Sequence, residues 1–194
     1  MTEADQTGAD GNSSATRSPK LMALVAGVAL LALGLDLVTK WWALGNLEEG
    51  VQHSFVGNFI TLQLIFNPGA AFSLGEGVTI VFTCITVLVI GALIWFSTRV
   101  HEVIPAIIVG LLIGGAAGNL WDRLTQPPGF GRGHVVDFIN YNNWFIGNVA
   151  DIWIVVAAVG LLLWVLVKSE TERQGEIADK QELQVDANSE PTDE

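Results

Sequence analysis

The chain has 194 residues and a formal net charge of −11, and is 51% hydrophobic but only 15% charged, with a mean hydropathy of +0.47. That balance excludes an ordinary water-soluble domain, and the absence of a basic patch excludes a nucleic-acid-binding footprint, so no nucleic-acid partner is expected. The single cysteine, Cys84, excludes disulfides and cysteine-based metal centres by count.

Residues 1–20 are polar and read as a flexible tail. The apolar run that follows is too long for a cleavable signal peptide and lacks a small-residue cleavage pattern, so it is expected to be a retained first span. It covers Leu21 to Leu44 and is interrupted by Asp36, Thr39 and Lys40. A spanning helix needs about 20 mostly apolar residues. Further candidates are Val78–Phe96, Val103–Leu120 and Phe145–Val167. Residues 168–194 form a strongly acidic tail without aromatics, expected to be disordered. Cys84 lies mid-span and reads as a packing residue.

Arg17 and Lys20 precede the first span, Arg99 lies between the second and third, and Lys168 and Arg173 follow the fourth. The positive-inside rule makes that side cytoplasmic, with both termini on it. The loops of about 45–77 and 121–145 then face outward. In the first, Phe59–Phe66 has the β-branched and aromatic content of a strand, and Asn67-Pro68-Gly69 forces a turn. Ala70–Leu74 reads as a second strand or a short helix. In the second loop, Pro127, Pro128, Gly129, Gly131 and Gly133 mark a flexible segment, either a gate or a plain surface loop. On the third span, Gly110, Gly114 and Gly118 recur every fourth residue, a spacing that lets two helices approach closely in lipid.

The chemistry concentrates in a few polar residues. Asp36 and Lys40 are four apart, in the favourable order for a helical ion pair. Asn119, Asp122 and Arg123 share one helix face, where Arg123 is placed to hold a carbonyl or phosphate. Asp137 and Asp151 sit at the edges of apolar segments. An ionised carboxylate near a hydrocarbon core costs several kcal/mol, roughly 2.5–3.5 on insertion scales, so two of them on adjoining elements point to a shared-proton dyad. Asp151 also has a plain structural reading as the third residue of a helix capped by Asn148. Asp137, after a glycine-rich loop, has none.

Five blocks in order resemble the lipoprotein signal peptidases, also called signal peptidase II: Asp36-Leu37-Val38-Thr39-Lys40, Asn67-Pro68-Gly69-Ala70-Ala71-Phe72-Ser73, Gly118-Asn119-Leu120-Trp121-Asp122-Arg123, Val135-Val136-Asp137-Phe138 and Asn148-Val149-Ala150-Asp151. The resemblance covers about residues 21–167. It implies an all-α membrane protein of four transmembrane helices with a small outward β-cradle. It also implies an intramembrane aspartic endopeptidase that needs no cofactor or metal. Such enzymes cut signal peptides from diacylglyceryl-modified bacterial prolipoproteins just before the lipidated cysteine. Carried over by motif, Asp137 and Asp151 are the catalytic dyad. Asn67, Asn119, Arg123 and Asn148 line the substrate site, and Asp36, Lys40 and Asp122 support it. The resemblance further implies residence in the bacterial inner membrane, lipidated prolipoproteins and membrane lipid as partners, and globomycin as an inhibitor. A monomer is expected.

Other classes of function make different demands. A small transporter would use Asp36, Asp137 and Asp151 as proton or cation sites and would carry internal repeats and broken helices; no convincing repeat is present, and the acids sit at helix ends rather than at the midplane. A membrane scaffold leaves the five blocks without a reason. A serine peptidase would need Ser73 with Lys40, and no motif surrounds either. His53, His101 and His134 lack metal-ligand spacing and read as surface residues.

Overall fold

A computed structural model describes residues 18–69 and 77–189. The element order is α1 (Pro19–Asn46), β1 (His53–Phe55), β2 (Gly57–Asn67), α2 (Gly77–Ser97), α3 (Val103–Thr125), β3 (Val135–Tyr141), β4 (Phe145–Gly147) and α4 (Val149–Ser189). All four helices are long and apolar enough to span a bilayer. Their leucines, valines and phenylalanines lie largely on the outside, among them Leu30, Leu88, Leu162 and Val167. Such an apolar exterior suits lipid as the solvent, because every helical amide is already bonded within its own segment.

Among the described residues α3 is the central helix, packed on α1, on α4 and, less extensively, on α2. Its glycines make this possible. A Cβ on Gly110 would meet Val28 at 2.8 Å, and one on Gly114 would meet the Ala29 carbonyl at 2.6 Å. One on Gly118 would collide with Asp36. These three glycines admit α1. Gly115, on the other side, admits α4, where its Cβ would lie 2.7 Å from the Ala150 carbonyl. Helices in lipid associate through such close packing, since apolar burial gives them no advantage over lipid.

The four strands form one antiparallel sheet in the order β1-β2-β3-β4. Ile65 pairs with Asp137 and Asn67 with Val135, and a bulge between Leu62 and Ile65 resets the register, so that Leu62 pairs with Ile139 and Ile60 with Tyr141. With a side-chain period of two, Asn67 shares a face with Asp137. An amide network staples the strands together. Asn140 Nδ2 donates to Gln63 Oε1 at 2.7 Å, and Gln52 Nε2 donates to Gln63 Oε1 at 2.9 Å and to Asn143 Oδ1 at 2.7 Å.

The structure departs from the sequence expectations in five places. The fourth helix starts at Val149 rather than Phe145. Asn142 and Asn143 adopt φ of 52° and 60°, the left-handed pair of a tight hairpin turn, and Phe145–Gly147 turns back to pair with β3. The third helix runs on past Leu120 to Thr125, carrying the Asn119–Arg123 block in helical geometry. The acidic tail is not a coil where described, because α4 continues to Ser189. A helix already nucleated in the membrane propagates at one bond per residue, aided here by the exposed Glu170–Arg173 and Glu176–Lys180 pairs. Cys84 is exposed rather than packed. Finally, the glycine-rich segment is strapped down. Gly133 N–H donates to the Arg123 carbonyl at 3.0 Å, His134 N–H to the Pro127 carbonyl at 3.0 Å, and Thr83 Oγ1 to the Gly131 carbonyl at 2.8 Å. These bonds tie its ends to α3 and α2, while residues 127–130 lie exposed as a surface loop. The expected element at Ala70–Leu74, with Ser73, lies outside the described residues, as does most of the N-terminal tail.

Candidate active site

Where the sheet meets the bundle, α1, α3, α4 and β3 converge on one buried cation. Lys40 Nζ lies 2.8 Å from Asp36 Oδ2 and 2.8 Å from Asp122 Oδ2, and donates to Asn119 Oδ1 at 3.0 Å. Asp36 is 0% and Lys40 2% exposed, so the helical ion pair expected from their spacing is buried inside the protein. Each carboxylate also holds a second element. Asp36 Oδ1 accepts the Ala150 N–H of α4 at 2.8 Å, and Asp122 Oδ2 accepts the Val136 N–H of β3 at 3.1 Å. Three buried charges are tolerable only because each is paired and hydrogen-bonded.

On this base stand the two aspartates. Asp151 and Asn148 form a reciprocal cap at the start of α4: Asp151 N–H donates to Asn148 Oδ1 at 3.1 Å, and Asn148 N–H donates to Asp151 Oδ2 at 3.1 Å. The helix-cap reading of Asp151 is therefore correct, but the cap uses only one of its oxygens. Oδ1 accepts from Asn119 Nδ2 at 3.0 Å. Asp137, on β3, is 2% exposed. Its Oδ2 accepts from Asn67 Nδ2 at 2.8 Å and its Oδ1 from Asn148 Nδ2 at 2.6 Å. Asn148 thus touches both carboxylates, one through its side chain and the other through its backbone.

The amide orientations are fixed from behind. Asn67 Oδ1 accepts the Gly69 N–H at 2.8 Å, which turns its Nδ2 to Asp137. Asn119 Oδ1 accepts from Lys40 and from Asn148 Nδ2 at 3.0 Å, which turns its Nδ2 to Asp151. Burial pushes the Asp137 carboxyl up from its ordinary 3.8 to about 7, against the Asn67 hydrogen bond and with the help of the Asp151 charge. One carboxyl that keeps its proton near neutrality beside a second carboxylate is an acid–base pair ready for use.

The two carboxyls differ in access. Asp151 is half-buried and opens onto a cleft of about 360 Å³ lined by Tyr141, Phe145, Ile152, Val155 and Val156. Burial, and then the Asp151 charge, raise the Tyr141 hydroxyl above its ordinary value. Arg123 lies on the other side. Its guanidinium carbon is 5.8 Å from the Phe82 ring centroid, its Nη2 would be 3.1 Å from a Cβ on Gly69, and its buried Nη1 has no hydrogen-bond partner among the described residues. Gly69 has φ +88°, a conformation that, with this close approach, glycine alone accommodates easily.

All nine residues singled out from the sequence therefore meet at one place. Asn67, Asn119 and Asn148, expected to line the substrate site, spend their amides on the two carboxylates. The sequence reading missed the cleft wall of Tyr141, Phe145, Ile152, Val155 and Val156. Its signal was the Asn142-Asn143 pair between aromatic residues, which marks a hairpin and brings Phe145 back beside Tyr141.

Residues 28–167 match the family model described as signal peptidase (SPase) II. The chain belongs to the signal peptidase II family. Among curated relatives, the lipoprotein signal peptidase of Leifsonia xyli subsp. xyli is 43% identical over 143 residues, 73% of this chain and 66% of that protein. The lipoprotein signal peptidase of Mycobacterium tuberculosis (strain H37Rv) is 37% identical over 163 residues, 84% of this chain and 81% of that one. A solved bacterial membrane enzyme superposes with a TM-score of 0.66 at 26% identity, covering 74% of this chain and 93% of the other. As a signal peptidase II, the chain is a multi-pass membrane peptidase that removes signal peptides from prolipoproteins. The transport reading gains no support from these relatives, of which both curated ones are lipoprotein signal peptidases.

Proposed function

We propose that Asp137 and Asp151 are the catalytic dyad of this peptidase, and that it cuts diacylglyceryl-modified prolipoproteins just before the lipidated cysteine. The observation that carries the assignment is Asn148, which hydrogen-bonds both carboxyls at once and holds them as a pair. Two carboxyls so held share one proton near neutral pH. The ionised member takes a proton from a water, whose oxygen attacks the scissile carbonyl carbon. The protonated member donates a hydrogen bond to the carbonyl oxygen. Collapse of the tetrahedral intermediate breaks the C–N bond, and the proton passes to the leaving amine of the cysteine. Asn67, Asn119 and Asn148 position the dyad, and the Nη1 of Arg123, without a hydrogen-bond partner among the described residues, is offered to a substrate carbonyl. Asp36, Lys40 and Asp122 hold the four elements in register.

The acyl chains fix the depth of the cysteine in the bilayer, so the enzyme aligns the bond by matching that depth. We assign the peptidase unit to residues 21–167, flanked by the segments 1–20 and 168–194. Both termini are placed in the cytoplasm of a bacterial inner-membrane protein that acts as a monomer and is blocked by globomycin.

The test is cleavage of a diacylglyceryl-modified prolipoprotein by the purified protein, run with wild type, Asp137→Asn and Asp151→Asn. Globomycin-sensitive cleavage lost in both folded variants is the expected result. Cleavage retained in either variant removes that aspartate from catalysis.

A further inference from the structure

On the side of α2 turned away from the carboxyls, an apolar groove of about 570 Å³ runs along the helix. Ile80, Cys84, Val87 and Leu88 line it from α2, and Leu124 of α3 and Phe130 of the following loop close the other side. The α2 positions recur at the helical spacing of three and four, so they form one stripe. From Ile80 to Leu88 the stripe is about 12 Å long at 1.5 Å per residue. Phe82, whose ring faces Arg123, lies on the other face of the helix. With 3.6 residues per turn, the four stripe residues stand about 120–160° round the helix from it. The groove is therefore separate from the active site. The one hydroxyl in its wall is already used, since Thr83 Oγ1 donates to the Gly131 carbonyl at 2.8 Å. A Cβ on Gly131 would lie 2.8 Å from Ile80 Cδ1, so glycine lets the loop close down on α2.

A second cavity, of about 390 Å³, opens beside the groove at the sheet end of α2. Arg132 and His134 line it together with Thr79, Gly129 and Phe130, so Phe130 is a wall of both. Thr79 begins the part of α2 that is apolar enough to span a bilayer, which sets this cavity at the membrane boundary. Among the described residues no carboxylate lines the cavity, and Arg132 forms no ion pair. Glu49 lies beyond His134, in a different cleft with Phe66 and Pro127, which leaves Arg132 as the charge that faces the cavity.

The two cavities ask for one occupant with two chemistries. A groove on a lipid-facing helix is filled by hydrocarbon. A guanidinium at its mouth suits a phosphate, which it can hold through two hydrogen bonds, and basic pockets between spanning helices take anionic headgroups. We propose that this is a site for an anionic phospholipid, with the phosphate on Arg132 beside His134 and one acyl chain laid along the α2 stripe under Phe130. With no carboxylate among the described lining residues to receive an ammonium group, a glycerol headgroup fits the cavity better than a choline. Phe130, 83% exposed in the protein alone, is covered by the chain. The lipid braces the loop between α3 and β3 against α2. The site does not depend on the peptidase reading.

Native mass spectrometry of the full chain tests it, with dioleoyl phosphatidylglycerol, dioleoyl phosphatidylcholine or inorganic phosphate added before release from detergent. The expected result is one phosphatidylglycerol retained per chain, several-fold more than phosphatidylcholine, with phosphate alone not retained. Arg132→Gln, at an exposed position, will bring phosphatidylglycerol down to the phosphatidylcholine level. Val87→Trp, which fills the groove, will lower retention of both lipids, and Cys84→Phe is a second groove-filling variant should the first fold poorly. Leu162→Trp, exposed on α4, is the control and will leave retention unchanged. Equal retention of the two lipids by wild type, a preference that survives Arg132→Gln, or retention indifferent to filling the groove overturns the proposal. Free phosphate retained as strongly as lipid overturns it too, because that is an anion site without a chain. So does stoichiometric loss of the lipid when a prolipoprotein is added, which would make the groove part of the substrate site. A protein inactive as a peptidase that still retains phosphatidylglycerol in this way leaves the lipid site standing.

Discussion

Replacing Asp137 with Asn will remove a pH dependence of stability that the buried carboxyl imposes on the fold. The sign follows from the direction of its displacement. Below about pH 4 the carboxyl is protonated in folded and unfolded chains alike and contributes no pH dependence. Between 3.8 and about 7 the unfolded carboxyl ionises while the folded one holds its proton, so the unfolded state gains and stability falls as pH rises. Above pH 7 the loss is complete, and at 1.36 kcal/mol per pH unit it amounts to roughly 4 kcal/mol. Asn at this position carries no such penalty, but it presents one oxygen to two donors. Neither donor can turn away, because Asn67 is held by the Gly69 N–H and Asn148 by the Asp151 N–H. One buried donor is left unpaired, at a cost of about 1–3 kcal/mol. The variant is therefore the less stable protein near pH 4 and the more stable one above pH 7, there by roughly 1–3 kcal/mol. Thermal unfolding in detergent between pH 4 and 8 measures this, with the tail carboxylates common to both proteins. Parallel stability curves for wild type and Asp137→Asn would refute the reasoning, since they would mean that Asp137 ionises freely in the folded state.

Three further outcomes follow from the same geometry. Lys40→Met leaves Asp36 and Asp122 without their shared cation and is expected to destabilise by about 3–5 kcal/mol. Adding Asp122→Asn will recover part of that loss, which a double-mutant cycle by thermal unfolding will read. Gly118→Ala forces a methyl onto Asp36 and will cost about 1–3 kcal/mol, together with cleavage activity, because Asp36 anchors the start of α4. Gly34→Ala on α1, with open space around it, is the neutral control in the same melting and cleavage assays. Asn142→Val places a β-branched residue at φ 52° and is expected to cost roughly 1–2 kcal/mol, lowering the melting temperature while Asn142→Gly leaves it near wild type.

The helices were legible because lipid demands a simple pattern. A run of about 20 apolar residues suffices, and the four spans were found with errors only at their ends. β2 was legible from Phe59–Phe66. β3 was not, because its buried residues Val135, Val136 and Phe138 interrupt alternation, and the neighbouring glycines suggested a loop. β4 was absorbed into the fourth helix because Phe145 and Ile146 prolong an apolar run. The hairpin turn that separates them is written in two asparagines, a weak signal against that background. Of the candidate site, Asp137 and Asp151 stood out by the cost of burying charge. The asparagines drew notice as a turn residue, a helix-face residue and a helix cap, but their place at the substrate site came only through the family pattern, because neutral amides near a helix end have many uses.

What the sequence determined alone is the set of participants: four spans, two aspartates too costly to be incidental, a Lys40–Asp36 pair and a glycine ladder on α3. Those follow from local composition and spacing, which act through solvation and helix period. Tertiary structure decided how the participants are used. Lys40 became the joint of α1, α3 and β3 only when Asp122 arrived from 82 positions away. Asn148 became the bridge of the dyad only when β3 was laid beside the start of α4. Hydrogen bonds depend on distance and direction, which are set when elements from remote parts of the chain pack together, and no local pattern carries that information.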